Sequence, residues 1–254
     1  MGKIISFANQ KGGVGKTTSA VNVAACLGVL GYRTLLVDLD PQGNATSGVK
    51  IPKKSLKHSA RDLLTGTTNV AETVMQTEYD KLWVIPANTQ LANAEFELFN
   101  EEDNPYFVMR DAMASLKTIF DYVIVDCPPS LGMLTVNSLV ASDGVVVPMQ
   151  CEFYALEGLS QLSTTVRKVH DNYNSSLNIT GILLTMYTKR LLLTQQVERQ
   201  ISKHYEGKLF STPISRSVKL SEAPSFGEPI YYYDKSGKGT KEYMSVANEL
   251  ASRI

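Results

Sequence analysis

The segment Lys11-Gly12-Gly13-Val14-Gly15-Lys16-Thr17-Thr18 gathers two lysines, three glycines and two hydroxyls directly behind a β-like run at residues 3–9. Glycine spacing of this kind lets the backbone curl so that successive N–H groups, Val14 among them, point at one anion. Lys16 can reach β- and γ-phosphate oxygens, and the Thr17 hydroxyl can ligate the Mg²⁺ that accompanies a nucleotide. Apolar residues then recur at helical spacing from residue 17 to 30, so the loop is expected to end at a helix N-terminus, a favourable place for phosphate charge. Strand, loop and helix occur in the order that nucleotide binding requires.

Two acidic segments follow. Arg33-Thr34-Leu35-Leu36-Val37-Asp38-Leu39-Asp40 is a buried-strand pattern that ends in two carboxylates. Such a strand delivers its acids at the sheet edge where α/β proteins bind ligands. Asp40 is the candidate for orienting an attacking water, and Asp38 is expected to hold either Mg²⁺-bound water or the loop itself. Asp121-Tyr122-Val123-Ile124-Val125-Asp126-Cys127-Pro128-Pro129 repeats the pattern and reads as a Walker B strand. Asp126 is expected to contact Mg²⁺ through water, with the proline pair stiffening the turn.

The loop resembles that of the deviant Walker A ATPases, K-G-G-x-G-K-[ST], whose additional lysine is Lys11 here. Further blocks resemble the ParA/Soj partition ATPases: 38–46, 126–132, Gln150-Cys151-Glu152-Phe153-Tyr154-Ala155-Leu156-Glu157-Gly158, and Leu220-Ser221-Glu222-Ala223-Pro224-Ser225. The matches run from residue 1 to about residue 247. The resemblance implies a single P-loop NTPase domain over residues 1–254, using ATP/ADP and Mg²⁺. It implies an ATP-bound homodimer in which Lys11 crosses to the partner's nucleotide, non-specific binding of double-stranded DNA, and a ParB-like centromere-binding protein that accelerates hydrolysis. It also implies a cytoplasmic protein that joins the nucleoid in its ATP state. Arg190 and Lys219 fall where relatives place DNA-contacting residues. Where many relatives carry Pro-Arg-Asn beside the adenine, this chain has Ser215-Arg216-Ser217, so base contacts at Ser215 and Ser217 are expected to use the backbone.

Apolar strands are expected at 3–9, 34–38, 82–86, 121–126, 144–148 and 179–186. Helical patterns lie at 17–30, 106–118, 155–171 and 193–204. That alternation predicts an α/β fold, a mostly parallel twisted sheet with helices on both faces. Residues 100–105 read as a surface connection. Tyr231-Tyr232-Tyr233 reads as a strand with alternate rings packed inward.

Net charge is zero, but the last 74 residues carry eleven Lys/Arg against seven Asp/Glu, and the first 180 carry fourteen against eighteen. A basic face in the C-terminal part could bind phosphates weakly and without sequence preference. No run approaches the ~18 apolar residues of a membrane span, and Met1 to Ile5 does not read as a signal peptide. The alternative to a partition ATPase is a MinD-like positioning ATPase held on a membrane by an amphipathic tail. The tail from Lys241 to Ile254 is weakly apolar with balanced charge, so it reads as a packing helix and no stable membrane anchor is expected. Cys26, Cys127 and Cys151 stand in separate segments and form no disulfide or metal signature. They are expected to be small buried side chains, and Cys127 and Cys151 lie close to predicted strand ends in motifs that the partition ATPases also carry, which disfavours an iron–sulfur reductase.

Overall fold

Near-continuous apolar strands must be covered on both faces, and the centre of this molecule is built that way. In the computed structural model, which describes residues 1–99 and 104–254, all five residues of β2 (Thr34–Asp38) and β5 (Tyr122–Asp126) are buried. They belong to one sheet with β1 (Lys3–Phe7), β3 (Met75–Gln76), β4 (Leu82–Ile85), β6 (Gly144–Gln150) and β7 (Ile179–Thr185). The spatial order is β3-β4-β2-β5-β1-β6-β7, and every pairing is parallel except that of the two-residue edge strand β3. The predicted α/β sheet is therefore present, and each predicted strand is found within two residues of its expected ends. β3 was not expected, because a two-residue pairing carries no alternation to read.

One face of the sheet is covered by α1 (Lys16–Val29), α2 (Asn44–Gly48), α12 (Ile230–Tyr233) and α13 (Lys238–Arg253), whose Ala20, Val23, Leu27, Ile230, Tyr243, Val246 and Leu250 join Ile5, Leu36 and Ile124. The opposite core takes Leu35, Val37, Val123 and Val125 with side chains from α3 (Ala60–Thr65), α5 (Leu91–Phe99), α6 (Val108–Met113), α7 (Leu116–Ile119), α8 (Met133–Ala141), α9 (Ala155–Asn172) and α10 (Leu192–His204). α4 (Val70–Thr73) and α11 (Val218–Glu222) are short surface turns. α1 approaches the sheet edge closely: a Cβ on Gly28 would sit 2.1 Å from the Asp80 carbonyl oxygen. The apolar side of α13 is taken up against α1, as a packing helix requires.

Two expectations are corrected. The pattern at 106–118 forms two helices, because Ala114 N–H bonds to Asp111 and Thr118 N–H to Ser115, tightening the chain to i−3 bonds that end the α-turns. Tyr231–Tyr233 is helical instead of extended. Pro229 opens the turn, and successive rings then diverge: the Tyr232 hydroxyl meets Asp80, whereas Tyr233 stacks on Phe226 and reaches Glu222. Most of the predicted surface connection at 100–105 lies outside the described residues. Among the described residues, no helix is long and apolar enough to cross a membrane.

Candidate nucleotide-binding site

Parallel pairing places the C-terminal ends of β1, β2 and β5 side by side. Phe7, Asp38 and Asp126 are register partners, so the loop after β1 stands directly above both acids. Gly13 and Gly15 have φ of 74° and 78°, in the left-handed region that favours glycine. Gly15 is the N-cap of α1 and brings the loop onto the helix N-terminus. Lys11 to Lys16 is thus a closed cradle. Its rim is tied by Lys11 N–H to Asn9 Oδ1 at 3.0 Å and by Gln150 Nε2 to the Gly13 carbonyl at 2.8 Å.

Lys16 turns back across this cradle and donates to the Lys11 carbonyl at 3.0 Å. It is only 7% exposed. Burial holds its pKa below the ordinary lysine value, against the opposing pull of Asp126, Cys127 and Asp40. The loop, Asp40, Gln42, Asn44, Pro129 and Met186 enclose a cavity of about 380 Å³. A buried cation beneath a glycine-rich loop that ends at a helix N-terminus is suited to a polyphosphate.

The three acids differ in what they do. Asp38 accepts at one oxygen from Asp40 N–H at 3.1 Å, and at the other from Thr46 N–H and Thr46 Oγ1, each at 2.7 Å. Burial raises its pKa to about 6 against those hydrogen bonds. Of the two roles expected for Asp38, these contacts supply the holding of the loop; they leave it poorly suited to bind a metal directly. Asp40 sits at the cavity wall with one oxygen accepting from Gln42 N–H at 2.9 Å.

Asp126 is fully buried, and neither of its carboxylate oxygens has a hydrogen-bond partner. Burial first, and then Asp38, raise its pKa well above the carboxylate range, while the nearby Thr17 hydroxyl works in the opposite sense. An unfilled buried carboxylate costs roughly 1–3 kcal/mol or more, and Lys16 nearby makes no hydrogen bond to it, so the site is suited to a further cation. No cluster of three or more His, Cys, Asp or Glu side chains forms a cage among the described residues. Mg²⁺ keeps waters and phosphate oxygens in its shell and needs only one or two protein groups. Thr17 and Asp126 are the residues that fit.

A second cavity, of about 170 Å³, adjoins the first through Gly15 and Thr18 and lies between Met186, residues 214–217, Leu220, Ser221 and Tyr243. Its size, its mixed lining and its place next to the phosphate cradle suit a nucleotide base. Ser215 and Ser217 both line it. Lys11 extends from the opposite rim and pairs with Glu152, both side chains remaining about half exposed.

A family profile described as AAA domain matches residues 2–179. The sporulation initiation inhibitor protein Soj of Bacillus subtilis is 50% identical over 252 residues, covering 99% of each chain. This chain belongs to the ParA/Soj family of chromosome-partitioning ATPases. Among solved structures, cobyrinic acid a,c-diamide synthase of Mycobacterium smegmatis with ADP and magnesium superposes with a TM-score of 0.86 at 34% identity, over 99% of this chain and 94% of its own. A plasmid partition protein of Borrelia burgdorferi bound to AMPPNP gives a TM-score of 0.84 at 25% identity, over 100% and 99%.

The remaining expected residues of this ParA/Soj chain lie outside the cavities. Arg190 is exposed in the connection after β7, and Lys219 lies on α11, 3.4 Å from Glu222 and over the Tyr233 ring. Both segments leave the isolated bridge between Tyr187 and Ser215, so they depart from the sheet at a common point. Cys26 and Cys127 are buried, and Cys151 is half-buried where burial alone was expected. Cys127 donates to Ser138 Oγ at 3.3 Å inside the core. Sequence reasoning missed Thr46, Gln150 and Glu152 as partners of the site, although all three lie in blocks that carry the family resemblance.

Proposed function

We propose that this ParA/Soj ATPase is a DNA-partition switch. Mg·ATP binds with its phosphates in the glycine cradle and its base against Met186 and residues 214–217. Lys16 neutralises β- and γ-phosphate charge. Thr17 and Asp126 hold Mg²⁺, which supplies charge neutralisation at the phosphates. ADP and magnesium, or AMPPNP, accompany solved relatives, in keeping with this reading. Asp40, at the cavity wall, orients the attacking water, and Asp38 keeps the Asp40 loop in place through Thr46.

ATP then brings two copies face to face. Lys11 leaves Glu152 and reaches the partner's phosphates, where a cation in trans stabilises charge developing in phosphoryl transfer. The dimer binds duplex DNA without sequence preference through Arg190 and Lys219 on each copy. A ParB-like partner accelerates hydrolysis, which returns the protein to a monomer that releases DNA.

The observation that carries the reading is the orphaned Asp126 carboxylate beneath a cradle whose second lysine stands at the outer rim. The test is binding to non-specific duplex DNA with ATP, with ADP and without nucleotide, in the presence and absence of anionic lipid vesicles. ATP-dependent DNA binding that vesicles do not compete away is expected. ATP-dependent vesicle binding with no DNA binding would replace the partition switch with the MinD-like alternative.

A further inference from the structure

One wall of the base cavity is held by a residue far from every motif. Ser215 N–H donates to Glu242 Oε2 at 2.9 Å, and the Ser215 hydroxyl donates to Oε1 of the same carboxylate at 2.6 Å. Glu242 is 9% exposed and lies on α13 beside Tyr243, which lines the cavity and hydrogen-bonds through its hydroxyl to Ser19 Oγ at 3.1 Å. A carboxylate so deeply placed is costly unless its oxygens are filled. Ser215 fills both, and the exposed Lys238 adds a counter-charge at 3.6 Å.

The clamp acts where the chain leaves the sheet. Ile214 is tied by its N–H to the Leu184 carbonyl and by its carbonyl to Tyr187 N–H, at 2.8 and 2.9 Å. After Ile214, the Glu242 carboxylate fixes the next residue, and the cavity edge formed by 215–217 follows from that point. Adenine and guanine present opposite donor and acceptor patterns on the ring edge carrying N1. Backbone groups distinguish them only when held still, since a mobile edge can turn to satisfy either.

We infer that Glu242 is a positioning residue for the nucleotide base: by clamping Ser215 it fixes the edge of residues 215–217, raises ATP affinity and sets the preference for adenine. This rests on the assignment of the base to the 170 Å³ cavity. It makes α13 part of the nucleotide site as well as a packing helix.

The test is titration calorimetry with Mg·ATP, Mg·GTP and tripolyphosphate, which has the phosphates but no base. Glu242→Ala is expected to weaken ATP about tenfold, the scale of hydrogen bonds to a charged group, and to narrow the preference for ATP over GTP. Tripolyphosphate affinity should not change. Glu242→Gln, which keeps the size and one acceptor, should fall between, and its near-ultraviolet circular dichroism should match wild type. Ser215→Pro removes both donors, so adding Glu242→Ala to it should cost no further ATP affinity. Unchanged ATP affinity in Glu242→Ala, an equal loss for tripolyphosphate, or additive losses in the double variant would each overturn the inference. Leu220→Trp fills the cavity and should weaken ATP; wild-type affinity there would remove the base assignment itself.

Discussion

At the residue scale the site is an imbalance of charge held in a fixed frame. Lys16 is the buried cation at the floor of the cradle, and Asp126 is a carboxylate with nothing to bind. Lys16→Ala should abolish measurable ATP binding in calorimetry, because the phosphates would lose the buried lysine cation of the cradle while the acids nearby remain; retained binding would remove the cradle assignment. Asp40 is a different case, since it stands at the cavity wall and its described contacts are within its own turn. Asp40→Ala should leave Mg·ATP bound but lower phosphate release by about 10²-fold or more, in keeping with loss of a positioned catalytic group. The ATP-bound dimer should accumulate. Normal phosphate release would move water positioning to another group. These residues were legible in the sequence, because glycine spacing and strand-terminal acids are local patterns. Glu152 and Glu242 were not, because each acts on a residue more than twenty positions away, and only the fold brings the partners together.

At the element scale the connection between β2 and α2 is the part whose geometry depends on one hydroxyl. Thr46 Oγ1 donates to Asp38 and accepts from Ala87 N–H at 2.8 Å, so it joins α2, the end of β2 and the segment after β4. Thr46→Val keeps the shape but leaves the buried Ala87 N–H unfilled and takes from Asp38 one of the two hydrogen bonds at that oxygen, the Thr46 N–H bond remaining. It should lower stability by roughly 1–3 kcal/mol in urea unfolding. It should also slow phosphate release more than it weakens ATP binding, because Asp40 shares the Asp38 anchor. A loss of stability with unchanged turnover would make Thr46 purely structural. Strands and long helices were readable from their periodicity, and the errors fall on short elements. Tyr231–Tyr233 has too few residues to distinguish a period of two from 3.6, and its conformation is decided by Pro229 and by the separate partners of each ring. The break inside 106–118 is likewise a matter of backbone bonds that the apolar pattern continues straight through.

At the scale of the whole molecule, the proposed function requires a second copy. A Cβ built on Gly12 meets no atom within 4 Å, so the chain's own packing does not require glycine there; a close approach by a partner would. Lys11→Ala and Gly12→Val should therefore bind ATP as monomers yet give no ATP-dependent dimer in light scattering, and a stable dimer in Lys11→Ala would remove its trans role. The charge asymmetry of the sequence enters at the next step. Lys219 is already engaged with Glu222 and the Tyr233 ring, so part of its charge is compensated within one copy. Pairing two copies would roughly double the phosphates neutralised on one duplex. DNA affinity should be high with ATP, low with ADP and steeply salt-dependent, with little preference among sequences. Arg190→Ala and Lys219→Ala should each lower affinity and flatten the salt slope by about one unit while dimerisation survives. The two should differ in one respect: Glu222→Gln, which frees Lys219, should strengthen DNA binding in the wild type and have no such effect in Lys219→Ala. Fluorescence anisotropy across a salt series reads all of these. Unchanged affinity and slope in both alanine variants would place the DNA face elsewhere on the dimer.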